Sequence, residues 1–184
     1  MNGRVKQGMI LFVLSEANFF LLLVCAYIFY HQSGGQGPTA ASALDVFKTS
    51  LFSVALFSSS FTVWRAGACS RESKRGPMRF WLLATILLGA LFLIGQGTEY
   101  AHLIEENVTI SRNLFGTTFF TLTGFHGLHV FIGLVLLTIL LGLAVAGNEH
   151  EPRPTAMEGV SIYWHFVDAV WVVIFLVVYL WKYV

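Results

Sequence analysis

The feature that most constrains this chain is an unbroken apolar stretch, from about residue 119 to 146, that contains two histidines. A stretch of this length forms either a membrane-spanning helix or a very large buried one. His126 and His129 are three residues apart, so both imidazoles lie on one helix face. Ionisable groups are costly at membrane depth and usually face the interior of a bundle. Small residues beside them would let a second helix approach closely, and there are three: Gly124, Gly127 and Gly133.

The composition indicates a polytopic membrane protein. Of the 184 residues, 56% are hydrophobic and only 11% are charged, whereas soluble domains carry charge on about a quarter of their residues. Seventeen Phe and five Trp form an aromatic load that is typical of lipid-facing helices and of the membrane interface. The formal net charge of +1 argues against a nucleic-acid-binding protein, which attracts phosphates through an excess of basic residues.

Five apolar stretches are each close to the roughly 20 residues that a helix needs to cross a bilayer. The polar stretches between them are short, so we predict an all-α bundle of five transmembrane helices that forms a single domain over residues 1–184. The predicted spans cover residues 9–30, 46–64, 80–100, 118–146 and 160–181. The second span is the least apolar because it contains four serines, whose hydroxyls can bond within the helix or to a neighbour: Ser53, Ser58, Ser59 and Ser60.

Basic residues predict the orientation of the bundle, because Lys and Arg are enriched in cytoplasmic loops. The side that carries the N-terminus holds eight of the 11 basic residues: Arg4, Lys6, Arg65, Arg71, Lys74, Arg75, Arg79 and Arg153. The other side holds the remaining three: Lys48, Arg112 and Lys182. We therefore predict that the N-terminus lies inside and the C-terminus outside.

Several polar side chains are predicted to lie within the spans. Glu16 lies on the order of 10 Å into the first span, too deep to reach water easily. It is either a protonated, hydrogen-bonded packing residue or a proton-handling or gating group, and the sequence leaves both interpretations open. Asp168 lies at a similar depth in the fifth span, on the same helix face as His165, which would allow a polar contact between the first and last spans. Glu99, at the end of the third span, is predicted to be solvated or bonded at the interface.

These histidines and carboxylates are also the ingredients of a di-iron or zinc site, but their spacing argues against one. Glu-x-x-His pairs on two helices are missing from the sequence, and no cysteine lies near the histidines. A nucleotide-binding loop, a nucleophile elbow and a Cys-x-x-Cys-His haem motif are missing as well. We therefore expect no catalytic, cofactor-binding or metal-binding residue on this chain.

Four motifs, which together cover nearly all of the chain, resemble subunit III of cytochrome c oxidase. Residues 161–171, Ser-Ile-Tyr-Trp-His-Phe-Val-Asp-Ala-Val-Trp, are similar to the terminal-helix signature of that family. Residues 123–130, Thr-Gly-Phe-His-Gly-Leu-His-Val, are similar to its penultimate-helix signature. Residues 96–100, Gln-Gly-Thr-Glu-Tyr, resemble a stretch before that helix. Residues 15–20, Ser-Glu-Ala-Asn-Phe-Phe, resemble the helix start whose glutamate reacts with hydrophobic carbodiimide.

The resemblance implies a non-catalytic subunit of a haem–copper terminal oxidase, which reduces O2 to water and translocates protons across the bacterial inner (plasma) membrane. In that family subunit III holds no haem or copper and packs on subunit I, which carries the haems. It also binds phospholipid in a cleft, lies near a proton-uptake path and protects the core during turnover, with subunit II as a further partner. The polar residues carried over by motif position are Glu16, Glu99, His126, His129, His165 and Asp168.

Long members of this family have seven spans, and this chain resembles the short bacterial form with five. The phospholipid cleft of the long form lies between its first two helices and the rest, so a cleft here would need another wall. Five-span forms occur in cytochrome c oxidases, in quinol oxidases and in relatives linked to nitric oxide reductase. A stand-alone proton or ion transporter is an alternative from a different class, although transporters built by duplication show repeated halves and this sequence does not.

The predicted orientation determines which loops react with an impermeant thiol reagent on intact cells. A cysteine placed in the loop Arg71–Arg75 should stay unlabelled, whereas one placed near Glu105 should be labelled, because only the second loop faces outward. Permeabilised cells should label both positions, which controls for local accessibility. Labelling of the first position alone on intact cells would reverse the orientation.

Overall fold

The computed structural model describes residues 3–32, 44–110, 114–147 and 154–180. The described helices are α1 (Gly3–Gln32), α2 (Val46–Arg71), α3 (Arg75–Glu105), α4 (Leu114–Ala146) and α5 (Pro154–Ile174), and α5 continues as a π-helical segment (Phe175–Leu180). Five helices are long and apolar enough to cross a membrane, which confirms the predicted all-α bundle with five spans. The orientation stays a prediction. Three basic residues used for it, and the end of the fifth predicted span, lie outside the described residues: Arg112, Arg153, Lys182 and Trp181.

The helices extend beyond the apolar stretches that identified them. α2, predicted to end at residue 64, continues to Arg71 because the polar residues after its apolar part do not interrupt an α-helix. The helix ends where the backbone turns, at Ser73, which has a positive φ of 55°. The Lys74 amide then donates to the Cys69 carbonyl at 2.9 Å, which closes the connection to α3. An apolar stretch therefore marks the lipid-facing part of a helix rather than its ends.

The turn between α2 and α3 also carries an exposed ion pair. The Lys74 ammonium lies 2.7 Å from the Glu72 carboxylate. The hydrogen bond from Lys74, and then its charge, lower the pKa of Glu72, and the same contact raises the pKa of Lys74. Both side chains are largely exposed, so solvent screens the pair and its contribution to stability is small.

Four of the helices form a square in which sequence neighbours pack side by side. α2 packs against α3 and α5, and α4 packs against α3 and α5. α1 lies outside this square, against the edge formed by α4 and α5. The edge between α3 and α4 therefore lies opposite the edge between α2 and α5, and no described helix covers either one.

The centre of the square is filled by Trp164 of α5, which is fully buried. Its indole Nε1 donates to Ser59 Oγ of α2 at 2.9 Å. Its ring lies against Gly89 of α3 and Gly133 of α4, where an added Cβ would come within 2.7 Å of ring carbons. One side chain thus contacts the other three helices of the square, and glycines provide the space that its ring needs.

A second tryptophan repeats this arrangement two turns along α5. Trp171 donates from Nε1 to Ser53 Oγ of α2 at 2.8 Å. Ser58, in contrast, bonds to the Val54 carbonyl within its own helix. The two roles that the sequence allowed for these serines, bonding to a neighbouring helix and bonding within the helix, are therefore both present.

Substitution of Gly133 should destabilise the fold because the Trp164 ring has no free space into which it could move. We expect Gly133→Ala to lower the free energy of unfolding by about 1–3 kcal/mol, measured in mixed detergent micelles. Gly142→Ala on the same helix is the matched control, since nothing lies within 4 Å of a Cβ at that position. Equal stability of the two variants would show that the Trp164 contact is not tight.

Candidate functional site

The polar residues singled out in the sequence are distributed over several small clusters between the helices. One cluster joins α1 to α4, a second joins α2 to α5, and a third joins α2, α3 and the π-helical segment. A single histidine, His126, lies among aromatic rings. The clusters join different sets of helices, so the polar residues do not converge on one centre.

The first cluster is a pair formed by Glu16 of α1 and His129 of α4. His129 Nε2 lies 3.1 Å from Glu16 Oε2, and the two side chains are 12% and 24% exposed. His129 Nδ1 lies 2.7 Å from the Phe125 carbonyl, so Nδ1 carries a hydrogen that it donates to that oxygen. The contact between Nε2 and Oε2 then holds one proton, whether the pair is imidazole with carboxylic acid or imidazolium with carboxylate. Tyr163 of α5 donates to the His129 carbonyl at 3.1 Å and ties the pair to a third helix.

The second cluster consists of Ser60 of α2 with His165 and Asp168 of α5. The Ser60 hydroxyl donates to Asp168 Oδ2 and lies 3.1 Å from His165 Nδ1. Asp168 is only 5% exposed, whereas His165 is exposed on the outer surface of the bundle. The sequence would have allowed a polar contact between Glu16 in the first span and Asp168 in the last. In the structure Glu16 instead bonds to a residue of α4, and Asp168 bonds to a residue of α2.

The third cluster contains Glu99, which was predicted to be solvated or bonded at the interface and which the structure shows hydrogen-bonded to side chains of two other helical segments. α3 continues for six residues past Glu99, to Glu105, and the side chain turns inward. Its Oε1 accepts from Thr49 at 2.9 Å and its Oε2 accepts from Tyr179 at 2.6 Å. Glu99 also lines a small cavity of about 60 Å³ with Phe92, Gln96 and Trp171 among others. Glu99 therefore links α2 and α3 to the end of α5.

His126 has aromatic contacts in place of polar ones. It is fully buried and stacks on Trp171, with ring centroids 4.9 Å apart, while the Phe92 ring presents its edge at 5.9 Å. Neither ring nitrogen has a hydrogen-bond partner within the described part of the chain. His126 and His129 both face the bundle as predicted, but they have different neighbours.

Gln96 is a polar residue whose role the sequence did not reveal. Its Nε2 donates to the Thr123 carbonyl at 2.7 Å and to the Tyr100 hydroxyl at 3.1 Å. The Tyr100 hydroxyl lies 2.7 Å from Thr123 Oγ1, which closes a small network between α3 and α4. Gln96, Tyr100 and Thr123 all belong to motifs quoted above, but only the packing of the two helices shows that they meet.

Two of the three predicted packing glycines lie at close helix contacts. A Cβ on Gly127 would lie 3.0 Å from Gln96 Oε1, and one on Gly133 would lie 2.7 Å from the Trp164 ring. A Cβ on Gly124 would meet only the Tyr100 hydroxyl, at an ordinary 3.7 Å.

The arrangement of donor atoms does not favour a metal centre. Within the described ranges, no three His, Cys, Asp or Glu side chains come together in a way that could hold a metal ion. The carboxylates and histidines described above instead bond to one another, to hydroxyls or to backbone carbonyls.

Comparisons with known proteins give one consistent result. A family model described as cytochrome c oxidase subunit III matches residues 1–183. The chain is 37% identical over 175 residues to the cytochrome c oxidase subunit 3 of Synechocystis sp., covering 94% of this chain and 74% of that protein. It is 38% identical over 179 residues to the probable cytochrome c oxidase subunit 3 of Mycobacterium leprae, covering 95% and 87%. The cytochrome c oxidase subunit 3 of Pongo pygmaeus is 38% identical over 186 residues, covering 96% and 69%.

Removal of the Glu16 side chain should leave His129 Nε2 without a partner in an apolar environment. We expect Glu16→Ala to lower the free energy of unfolding by about 1–3 kcal/mol, and Glu16→Gln to lower it by less because the amide can still bond to His129. Asn18→Ala is the control on the same helix, since Asn18 is exposed and its amide bonds within α1 to the Leu14 carbonyl. Equal losses for the two Glu16 variants would argue against the hydrogen bond as the stabilising contact.

Proposed function

Because the chain belongs to the cytochrome c oxidase subunit III family, we propose that it is the non-catalytic subunit III of a bacterial haem–copper respiratory oxidase. That oxidase is an oxidoreductase that reduces O2 to water and translocates protons. In this proposal the chain packs on subunit I, has subunit II as a further neighbour, and carries no haem or copper itself. It stabilises the core of the complex and supports proton uptake and sustained turnover.

The observation that carries this proposal is the extent of the family match. The match covers residues 1–183, which include all five described helices and every cluster of polar residues between them. The contacts within these clusters support a packing role for the motif residues. Glu16, Glu99 and Asp168 each bond to a side chain on at least one other helix, so each links helices within one subunit.

The donor atoms of the chain support the assignment of haem and copper to partner subunits. A haem iron needs an axial His, Met, Cys or Tyr beside an opening large enough for the macrocycle. His126 is enclosed by aromatic rings, and His129 is occupied by Glu16 and the Phe125 carbonyl. His165 lies on the outer surface of the bundle, beside Ser60 rather than beside another ligand.

The shape of the bundle supports the proposed phospholipid binding. An apolar groove of about 280 Å³ runs between α1 and α5 and is lined by side chains that include Phe20, Val24 and Phe166. Its apolar lining suits an acyl chain, and α1 supplies one wall. The groove belongs to a five-helix bundle that we place in the bacterial inner (plasma) membrane, with the N-terminus inside.

The pair of Glu16 and His129 favours a proton-related role for this subunit. The pair holds a single proton between two titratable groups that lie within the membrane-spanning part of the helices. The same feature would serve an accessory subunit of a quinol oxidase or nitric oxide reductase system, or the alternative of a separate proton transporter. Copurification in mild detergent distinguishes these cases, since a haem-containing partner identifies an oxidase or reductase and its spectrum and donor preference identify the type.

Removal of the subunit should reduce sustained turnover of the oxidase and leave its electron transfer intact. We expect an oxidase complex depleted of this chain to keep its haem absorption spectrum and its initial rate of O2 consumption within about twofold. The number of turnovers before inactivation should fall, because the core loses a stabilising neighbour. The control is the same complex reconstituted with the chain, which should regain sustained turnover. Loss of the haem spectrum from an otherwise folded complex would instead identify this chain as a ligand donor.

A further inference from the structure

His165 places an exposed polar group within a membrane-spanning helix. It lies five residues into the predicted apolar span 160–181, which is roughly 7 Å along the helix axis at 1.5 Å per residue. It lies still farther from the other end of the helical segment, at Leu180. At this depth lipid tails surround the exposed ring, and they offer it no hydrogen bond.

The neighbours of His165 determine what its free nitrogen can bind. Ser60 has one hydroxyl proton, which it donates to Asp168 Oδ2. Ser60 Oγ must therefore accept from His165, so Nδ1 carries the hydrogen in the 3.1 Å contact. In the neutral ring, Nε2 is then a hydrogen-bond acceptor, and it has no partner in the part of the chain that the structure describes.

The surroundings of His165 distinguish this face from the opposite one. His165 lies at the edge between α2 and α5, and α2 is the least apolar of the five candidate spans. The opposite edge, between α3 and α4, presents an apolar groove that suits lipid and is lined by residues such as Ile94, Phe131 and Ile139. The edge between α4 and α5 is already covered by α1.

From these observations we propose that the face formed by α2 and α5 around His165 is the docking surface for the haem-bearing subunit of the oxidase. Its occupant is a transmembrane helix of that subunit that presents a side-chain O–H or N–H to His165 Nε2. This inference rests on the proposed function and adds to it the face of the bundle that is used and the chemistry of the contact. The hydrogen-bonded chain from Asp168 through Ser60 keeps the acceptor nitrogen pointing outward.

Photo-crosslinking in intact membranes tests the choice of face. Benzoylphenylalanine is introduced at Phe57, which is exposed on α2 one turn from Ser60, or at Phe131, which is exposed on α4 in the opposite groove. Both substitutions replace an exposed phenylalanine within a span, so they perturb the fold to a similar extent. We expect the probe at position 57 to capture the haem-bearing subunit, and the probe at position 131 to capture none of it.

Substitution of His165 tests the polar contact. His165→Leu should reduce retention of the haem-bearing subunit during detergent washing by roughly threefold to tenfold, the effect expected for one hydrogen bond between membrane helices. His165→Gln supplies another acceptor and should retain more of the partner. Thr138→Leu, which removes a hydroxyl on the opposite face that bonds only within α4, should leave retention unchanged.

The outcomes separate this inference from the proposed function. Capture of the haem-bearing subunit from position 131, alone or together with position 57, would overturn the assignment of the docking face while leaving the proposed function intact. Unchanged retention in His165→Leu would overturn the polar contact. If neither probe captured a haem protein and none copurified with the chain, the proposed function itself would be wrong.

Discussion

The bundle depends on hydrogen bonds that are satisfied between side chains of different helices, because lipid offers none. Trp164 shows this requirement most clearly, since its indole must place both a large ring and an N–H inside the membrane. The ring fits only where Gly89 and Gly133 lack side chains, and the N–H bonds to Ser59. Trp164 therefore satisfies its need for both a close-packed site and a hydrogen-bond partner in one place. Its contacts fix the positions of α2, α3 and α4 relative to α5.

The polar contacts away from Trp164 extend the same principle along the bundle. Glu16 holds the outer helix α1 against α4, and Asp168 and Trp171 hold α5 against α2. Each contact joins one pair of helices at one height, and none is shared with a third titratable group. Such a distribution suits a subunit that stays rigid beside a catalytic partner, whereas a catalytic centre would require its polar groups to converge.

The fold was predictable from the sequence because membrane spans are a one-dimensional signal. Apolar stretches of sufficient length identified all five helices, and glycines beside the two histidines indicated close packing on α4. The partners were not predictable in the same way, because depth along a helix says nothing about rotation around it. Glu16 and Asp168 lie at similar depths yet face different neighbours. Glu99 was predicted to be solvated or bonded at the interface because its apolar stretch ends there, and only the packing shows that its partners are Thr49 and Tyr179.

The π-helical segment at the end of α5 changes the spacing, in residues, between the side chains that face the interior of the bundle. Trp164 and Trp171 are seven residues apart, as two turns of an α-helix require, but the next large ring against Trp171 belongs to Tyr179, eight residues on. A π-turn takes up one extra residue and thereby rotates everything after it relative to an uninterrupted helix. The Tyr179 hydroxyl reaches Glu99 in this rotated frame. The length of this last segment is thus as strictly determined as its composition, since deletion of a single residue would keep every side-chain type and still turn Tyr179 away from its carboxylate.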